Sequence, residues 1–103
     1  MDKPFSIDIK LDGNVQEMIV SGELIINHSD LIKEEMIGLL DYSKNLNIRV
    51  TNPSSIDITF IQILLAIKKA YKSNGLNLSI QGTFNEEVFN LVTNAGFKNL
   101  FKL

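Results

Sequence analysis

The stretch Ser54–Ala70, "SSIDITFIQILLAIKKA", decides how this chain is read. Two small polar residues lead to one acid, Asp57, and a nearly uninterrupted apolar run follows. Aspartate at such a junction is a favoured helix N-cap, because its carboxylate accepts a backbone N–H of the first turn. Projected at about 100° per residue, the run has its apolar centre near Leu64. Phe60, Ile61, Ile67 and Tyr71 flank that centre, and Gln62, Lys69 and Ser73 mark the opposite side. Ile63 and Leu65 fall on the two margins, so the apolar arc is wider than one sheet-facing stripe needs. Either the helix is deeply buried, or one margin belongs to a partner or dimer surface. The pattern predicts a helix from Ser54 to Asn74, with Gly75 as its left-handed C-terminal cap.

Strands frame this helix. In Leu46–Asn52, "LNIRVTN", Leu46, Ile48 and Val50 alternate with Asn47, Arg49 and Thr51. In Leu76–Gly82, "LNLSIQG", Leu76, Leu78 and Ile80 alternate with Asn77, Ser79 and Gln81. Strands covered on both faces would be apolar throughout, so the helices are expected mainly on one face of the sheet. Phe5–Leu24, "FSIDIKLDGNVQEMIVSGEL", reads as a hairpin turning at Asp12-Gly13-Asn14. Asn27–Asn45 reads as a helix capped by Asn27 or Ser29, with an apolar stripe of Ile32, Met36, Leu39 and Leu40. Thr83 and Glu86 have capping-box spacing for a last helix carrying Val88, Leu91, Val92 and Ala95, which stops near Gly96. "FKNLFKL", Phe97–Leu103, closes the chain against the core. Strands alternating with helices imply parallel pairing through crossovers. The expected fold is α/β: a small mixed sheet with an N-terminal hairpin and helices mainly on one face.

Composition narrows the function classes. The 103 residues suit a single domain, 1–103, with a core of its own. A net charge of −2, with both signs interspersed, argues against nucleic-acid binding through a basic face. No run approaches membrane-spanning length, so no direct membrane insertion is expected. The absence of cysteine excludes thiol chemistry and fits a cytoplasmic protein. His28 is the sole histidine, with no evident partner acid at nucleophile spacing, which disfavours a catalytic or metal role. Glu34-Glu35 reads as a solvated helix face, and "SNGLN" lacks the spacing of a phosphate-binding loop. No enzyme activity, metal or cofactor is expected.

Three segments carry a family resemblance: "VSGELIINHSDLIKEEM", "IRVTNPSSIDITFIQILLAIKKAYKSNGLNLSIQG" and "NLVTNAGFKNLFKL". Together, from about Val15 to the C-terminus, they resemble the STAS domain. This is the domain of the anti-sigma factor antagonists, found also in sulfate transporters and lipid-transport complexes. The resemblance implies a strand-helix superhelix with a small sheet, and a non-catalytic protein-interaction module of bacterial signalling or transcription regulation. Its junction commonly reads Asp-Ser-Ser/Thr-Gly, and a kinase-like anti-sigma factor phosphorylates the first serine. The unphosphorylated form binds that partner, and phosphate blocks the binding. Here Asp57 matches the family aspartate, Ile58 takes the phosphoacceptor position, Thr59 the next hydroxyl position and Phe60 the glycine position. Isoleucine has no oxygen to accept a phosphoryl group, so the resemblance implies a lost or altered switch.

The expected partner-binding loop and helix start comprise Ser54, Ser55, Asp57, Ile58, Thr59 and Phe60, with Asn27, His28 and Ser29 as the neighbouring loop. Thr59 is the candidate phosphosite, in the first helical turn where the helix dipole favours an anion. Phe60 is either core or, facing outward, an aromatic anchor. The partner is then an anti-sigma factor or other signalling protein. The alternative within the same resemblance is the STAS subunit of a lipid-transport ABC complex, bound permanently to its ATPase. A homodimer remains open. Because parallel strands deliver their C-terminal ends together, residues 27–29, 52–57 and 82–85 are expected to be neighbours.

Overall fold

The computed structural model describes residues 3–101. Its strands are β1 (Phe5–Asp12), β2 (Val15–Leu24), β3 (Asn45–Thr51), β4 (Ser55–Ile56) and β5 (Leu78–Thr83). Its helices are α1 (Ser29–Leu39), α2 (Ile58–Ser73) and α3 (Glu86–Asn94), and a single 3-10 turn spans Ile26–His28. The sheet order is β1-β2-β3-β5, with β4 paired to the end of β2. β1 and β2 are antiparallel across a tight turn at Gly13-Asn14, where Asp12 faces Val15 and Gly13 takes a φ of 63°. The remaining pairs are parallel: Met18 faces Ile48, and Ile48 faces Ile80. Parallel neighbours need crossovers, which α1 and α2 supply.

One face of the sheet is buried and the other is polar. Met18, Val20, Leu46, Ile48, Val50 and Ile80 point into the core, while Asn47, Arg49 and Gln81 are exposed. The helices contribute Ile32 and Met36 from α1, Leu64, Ile67 and Tyr71 from α2, and Val88 and Val92 from α3. Phe97, Leu100 and the buried Phe101 pack against this cluster, as expected of the closing tail; Lys102 and Leu103 lie outside the described residues.

A buried polar bridge locks the turn after α1. Gln16 points inward from β2, and its Nε2 donates to the Asp41 carbonyl at 2.8 Å. Its Oε1 accepts the Asp41 N–H at 2.9 Å, and the Tyr71 hydroxyl donates to the same Asp41 carbonyl at 2.9 Å. An unpaired amide there would carry a large desolvation cost, and these bonds remove it.

Several boundaries depart from the sequence reading. α2 starts at Ile58 rather than Ser54, because Ser55 and Ile56 extend to pair with Glu23 and Leu24. Neither Asn27 nor Ser29 caps α1. The N-cap position falls on His28 without a side-chain bond, Asn27 lies in the 3-10 turn, and the Ser29 hydroxyl donates back to the Ile26 carbonyl at 3.0 Å. Asn85, not Thr83, caps α3 by accepting the Val88 N–H at 2.8 Å, since Thr83 still belongs to β5. Leu39 and Leu91 keep their places in the expected stripes but are exposed, Ala95 is exposed at the C-cap just past α3, and Leu40 packs on the core. On α2 the two margins separate: Ile63 is buried and Leu65 is exposed. Gly75 closes α2 as expected. With a φ of 70° it lets its own N–H reach the Lys72 carbonyl and the Leu76 N–H reach Tyr71.

Candidate functional site

The junction between β4 and α2 is organised by Asp57. Its backbone is extended, and its Oδ1 accepts the Thr59 N–H at 3.0 Å, which caps α2. The Thr59 hydroxyl donates to the same oxygen. Oδ2 accepts the Ile26 N–H at 2.8 Å, from the turn that leads into α1. The Asp57 N–H donates to the Leu24 carbonyl at 3.1 Å. One residue therefore ties the end of β2, the β2–α1 turn and the start of α2 together.

These bonds also set its charge. Burial raises the Asp57 carboxyl, but the bonds from the Thr59 hydroxyl and from the N–H groups of Ile26, Thr59 and Phe60 outweigh it. The net effect is a pKa below the ordinary carboxylate value, so Asp57 is an anion at neutral pH.

Ile58 is the first residue of α2 and is 53% exposed. It borders an apolar hollow of about 240 Å³ lined by Ile56, Ile61, Leu91, Val92 and Phe97. Leu91, 51% exposed, forms the far rim. Leu91 shares the stripe of Val88 and Val92 on α3 but stays exposed at the rim of this hollow instead of joining the core. The hollow had no sequence signal, since it exists only where the start of α2 meets the end of α3.

The other candidate residues fall as follows. Thr59 is half-buried, and its hydroxyl is held by Asp57. Phe60 is 1% exposed and belongs to the core, which corrects its placement among the contact residues: two positions after the exposed Ile58, the helix turns it toward the sheet. Ser54 is exposed and its N–H donates to the Gly22 carbonyl at 3.0 Å; Ser55 is half-buried in β4. His28 Nε2 lies 3.1 Å from Glu23 Oε2, a pairing that sequence reasoning missed because the two residues meet only across the turn. Asn27 is exposed beside it. The loops do gather at one end: Ile26 reaches Asp57, and the Asn52 N–H donates to the Thr83 carbonyl. Among the described residues, no group of three or more His, Cys, Asp or Glu side chains could hold a metal ion, and no helix is long and apolar enough to cross a membrane.

The family model of the STAS domain matches residues 6–103. The chain belongs to the STAS domain family. Among solved structures, this STAS domain is similar to the unphosphorylated form of the anti-sigma factor antagonist SpoIIAA. The TM-score is 0.70 at 11% identity, over 93% of this chain and 85% of that one. It is also similar to the STAS domain of an anti-sigma factor antagonist from Rhodobacter sphaeroides. There the TM-score is 0.56 at 18% identity, over 74% of this chain and 84% of that one. At such identities the likeness establishes the STAS fold, with its small mixed sheet and three helices. No curated protein matches the sequence.

Proposed function

We propose that this STAS domain is a non-catalytic protein-interaction module of the anti-sigma factor antagonist type, working in the bacterial cytoplasm in signalling or transcription regulation. Residues 1–103 act as one domain. The contact surface is the start of α2 with its neighbouring turn: Asp57, Ile58 and Thr59, flanked by Ser54, Ser55 and residues 27–29.

The observation that carries this reading is the exposed Ile58, set beside the Asp57 anion and above an apolar hollow. An exposed aliphatic side chain at a helix start, with a pocket beside it, suits a protein partner better than solvent. Ile58 stands where the family resemblance puts the phosphoserine, so binding here is not interrupted by phosphate at that position. Control, where it exists, falls to Thr59. Yet a phosphate on Thr59 would sit against the Asp57 carboxylate that now holds its hydroxyl, and like charges at that distance repel. We therefore read the module as a constitutive binder. The same exposed apolar contact fits the second reading, a permanent STAS subunit on the ATPase of a lipid-transport complex.

The test is affinity for a partner identified by co-purification from the native cell and then purified. Ile58→Glu should weaken binding about 30-fold or more, the effect expected of a contact worth about 2 kcal/mol. Leu65→Glu, on the far margin of α2, should leave it unchanged. Equal affinity for wild type and Ile58→Glu would defeat the proposed surface. A kinase-like anti-sigma factor as the partner supports the first reading, and a transport ATPase supports the second.

A further inference from the structure

β1 ends the sheet, and among the described residues no strand pairs with its outer edge. The Glu23 N–H donates to the Pro4 carbonyl at 2.8 Å, which fixes the parity of the ladder. By alternation from that pair, Phe5, Ile7, Ile9 and Leu11 direct their backbone groups away from β2, toward the open side. Such an edge is a template for another strand, and natural proteins blunt it with charged side chains, proline, bulges or short length. Here the charges Asp8, Lys10 and Asp12 lie on the outer face, and the backbone edge itself stays open. β1 has eight residues in unbroken register with β2 and contains no proline.

Beside this edge, next to the Lys3–Glu35 ion pair, several apolar side chains are uncovered. Leu11 is 63% exposed and Leu31 61% exposed, and Leu39 is exposed with them. Two hollows follow the edge. One, of about 510 Å³, lies between Phe5 and the Leu31–Leu39 flank of α1; the other, of about 230 Å³, lies among Ile9, Leu11, Gln16 and Leu39.

We propose that this edge is a dimer surface, and that its occupant is β1 of a second copy of this chain, paired antiparallel about a two-fold axis at Ile9. Charge and strand length together select that register, since a two-fold at Leu11 would also oppose Lys10 and Asp12 but would run the pairing into the turn at Gly13. A two-fold centred on Asp8 would place Asp8 against Asp8, and one centred on Lys10 would place Lys10 against Lys10. Centring on Ile9 places Asp8 opposite Lys10 of the second copy twice, and like charges directly opposite are unfavourable while opposite ones stabilise. The same register joins residues whose backbone groups both face the open edge, so the ladder can form. It sets the exposed Leu11 against Ile7 of the second copy and brings the two Leu39 flanks toward the axis. The surface shares no residue with the partner contact proposed at Asp57 and Ile58, so a dimer can exist whether or not that contact does.

The experiment is sedimentation velocity of the full chain from micromolar to millimolar concentration. Wild type is expected to show a reversible dimer. Lys10→Glu turns both cross-strand pairs repulsive and should raise the dimer dissociation constant about tenfold or more. Asp8→Lys combined with Lys10→Asp restores the two pairs with their signs exchanged, and should recover wild-type association. Asp8 and Lys10 are both exposed on the outer face, but Lys10 also faces Glu17 across β2, so circular dichroism and the melting temperature must first show each variant folded. Asp8→Lys alone, which leaves the Lys10–Glu17 pair intact, should weaken the dimer as Lys10→Glu does. A wild type that stays monomeric overturns the proposal. So does a dimer indifferent to Lys10→Glu, or a folded double variant that fails to recover.

Discussion

The Asp57 carboxylate accepts the Ile26 N–H at 2.8 Å while its other oxygen caps α2. A helix cap and a tie between two loops are thus one group. Asp57→Ala should therefore cost more than a simple cap, about 1–2 kcal/mol, because the Ile26 N–H loses its acceptor as well. The urea-unfolding midpoint reads this directly. A loss within error of zero would show that water replaces both bonds without cost.

The acid side of the stability curve follows from the same bonds. The folded Asp57 carboxyl lies below its ordinary value, which is about 3.9 in an unfolded chain. A depressed folded pKa contributes stability that is present in full above the unfolded value and is lost as pH falls through the folded one. The stability difference between wild type and Asp57→Asn should be constant from about pH 5 to 7 and shrink below about pH 4. Urea titrations of both proteins across that range measure it, and a difference that grows on acidification would contradict the sign.

Gln16 makes a third prediction. Gln16→Leu removes the acceptor of the Asp41 N–H and the donor to the Asp41 carbonyl, and should cost about 1–3 kcal/mol. Tyr71→Phe removes the hydroxyl that donates to the same carbonyl and sits 3.2 Å from Gln16 Nε2. Because the two side chains share one network, the double variant should cost less than the sum of the singles, by about 0.5 kcal/mol or more. Strict additivity in chemical denaturation would show that they act separately.

Gly22 makes a fourth. It has a φ of 99°, and a Cβ there would come within 2.5 Å of the Pro4 carbonyl oxygen and 2.6 Å of Phe5 Cα. The backbone conformation alone costs a non-glycine residue about 1–3 kcal/mol, and the close approach to β1 adds to it. Gly22→Ala should lower the melting temperature sharply, while Gly13→Ala, with open space around its Cβ, should lower it less.

The last concerns modification. Intact mass with peptide mapping of protein from its own cell should find Thr59 unphosphorylated, because its hydroxyl is engaged by Asp57. Ile58→Ser should cost no more than about 1 kcal/mol, since only about half of the Ile58 side chain is covered. Stoichiometric phosphate on Thr59 would instead place the switch one residue along.

Much of the fold was legible because it rests on local periodicity. The alternation of Leu46, Ile48 and Val50 marks a strand with one buried face, and the spacing around Leu64 marks a buried helix. Asp57 and Gly75 were legible as caps, since each acts within its own turn. Other ends were not. Ser54 and Ser55 look like helix leaders until β2 offers Glu23 and Leu24 as pairing partners, and Thr83 looks like a cap until β3 draws it into the sheet. Long-range pairing overrode local preference at both places.

The sequence by itself determined the family, the order of the four longer strands and the three α-helices, and the residue at position 58, while the short β4 needed its partner β2. Only the tertiary structure decided that Phe60 faces the core while Ile58 faces outward, that Leu91 rims a hollow beside it, and that Asp57 holds Ile26 from a different element. Periodicity states which residues share a face of one element. It does not state how far a neighbouring element covers that face, nor which distant N–H completes a carboxylate, because both depend on contacts between segments far apart in the chain.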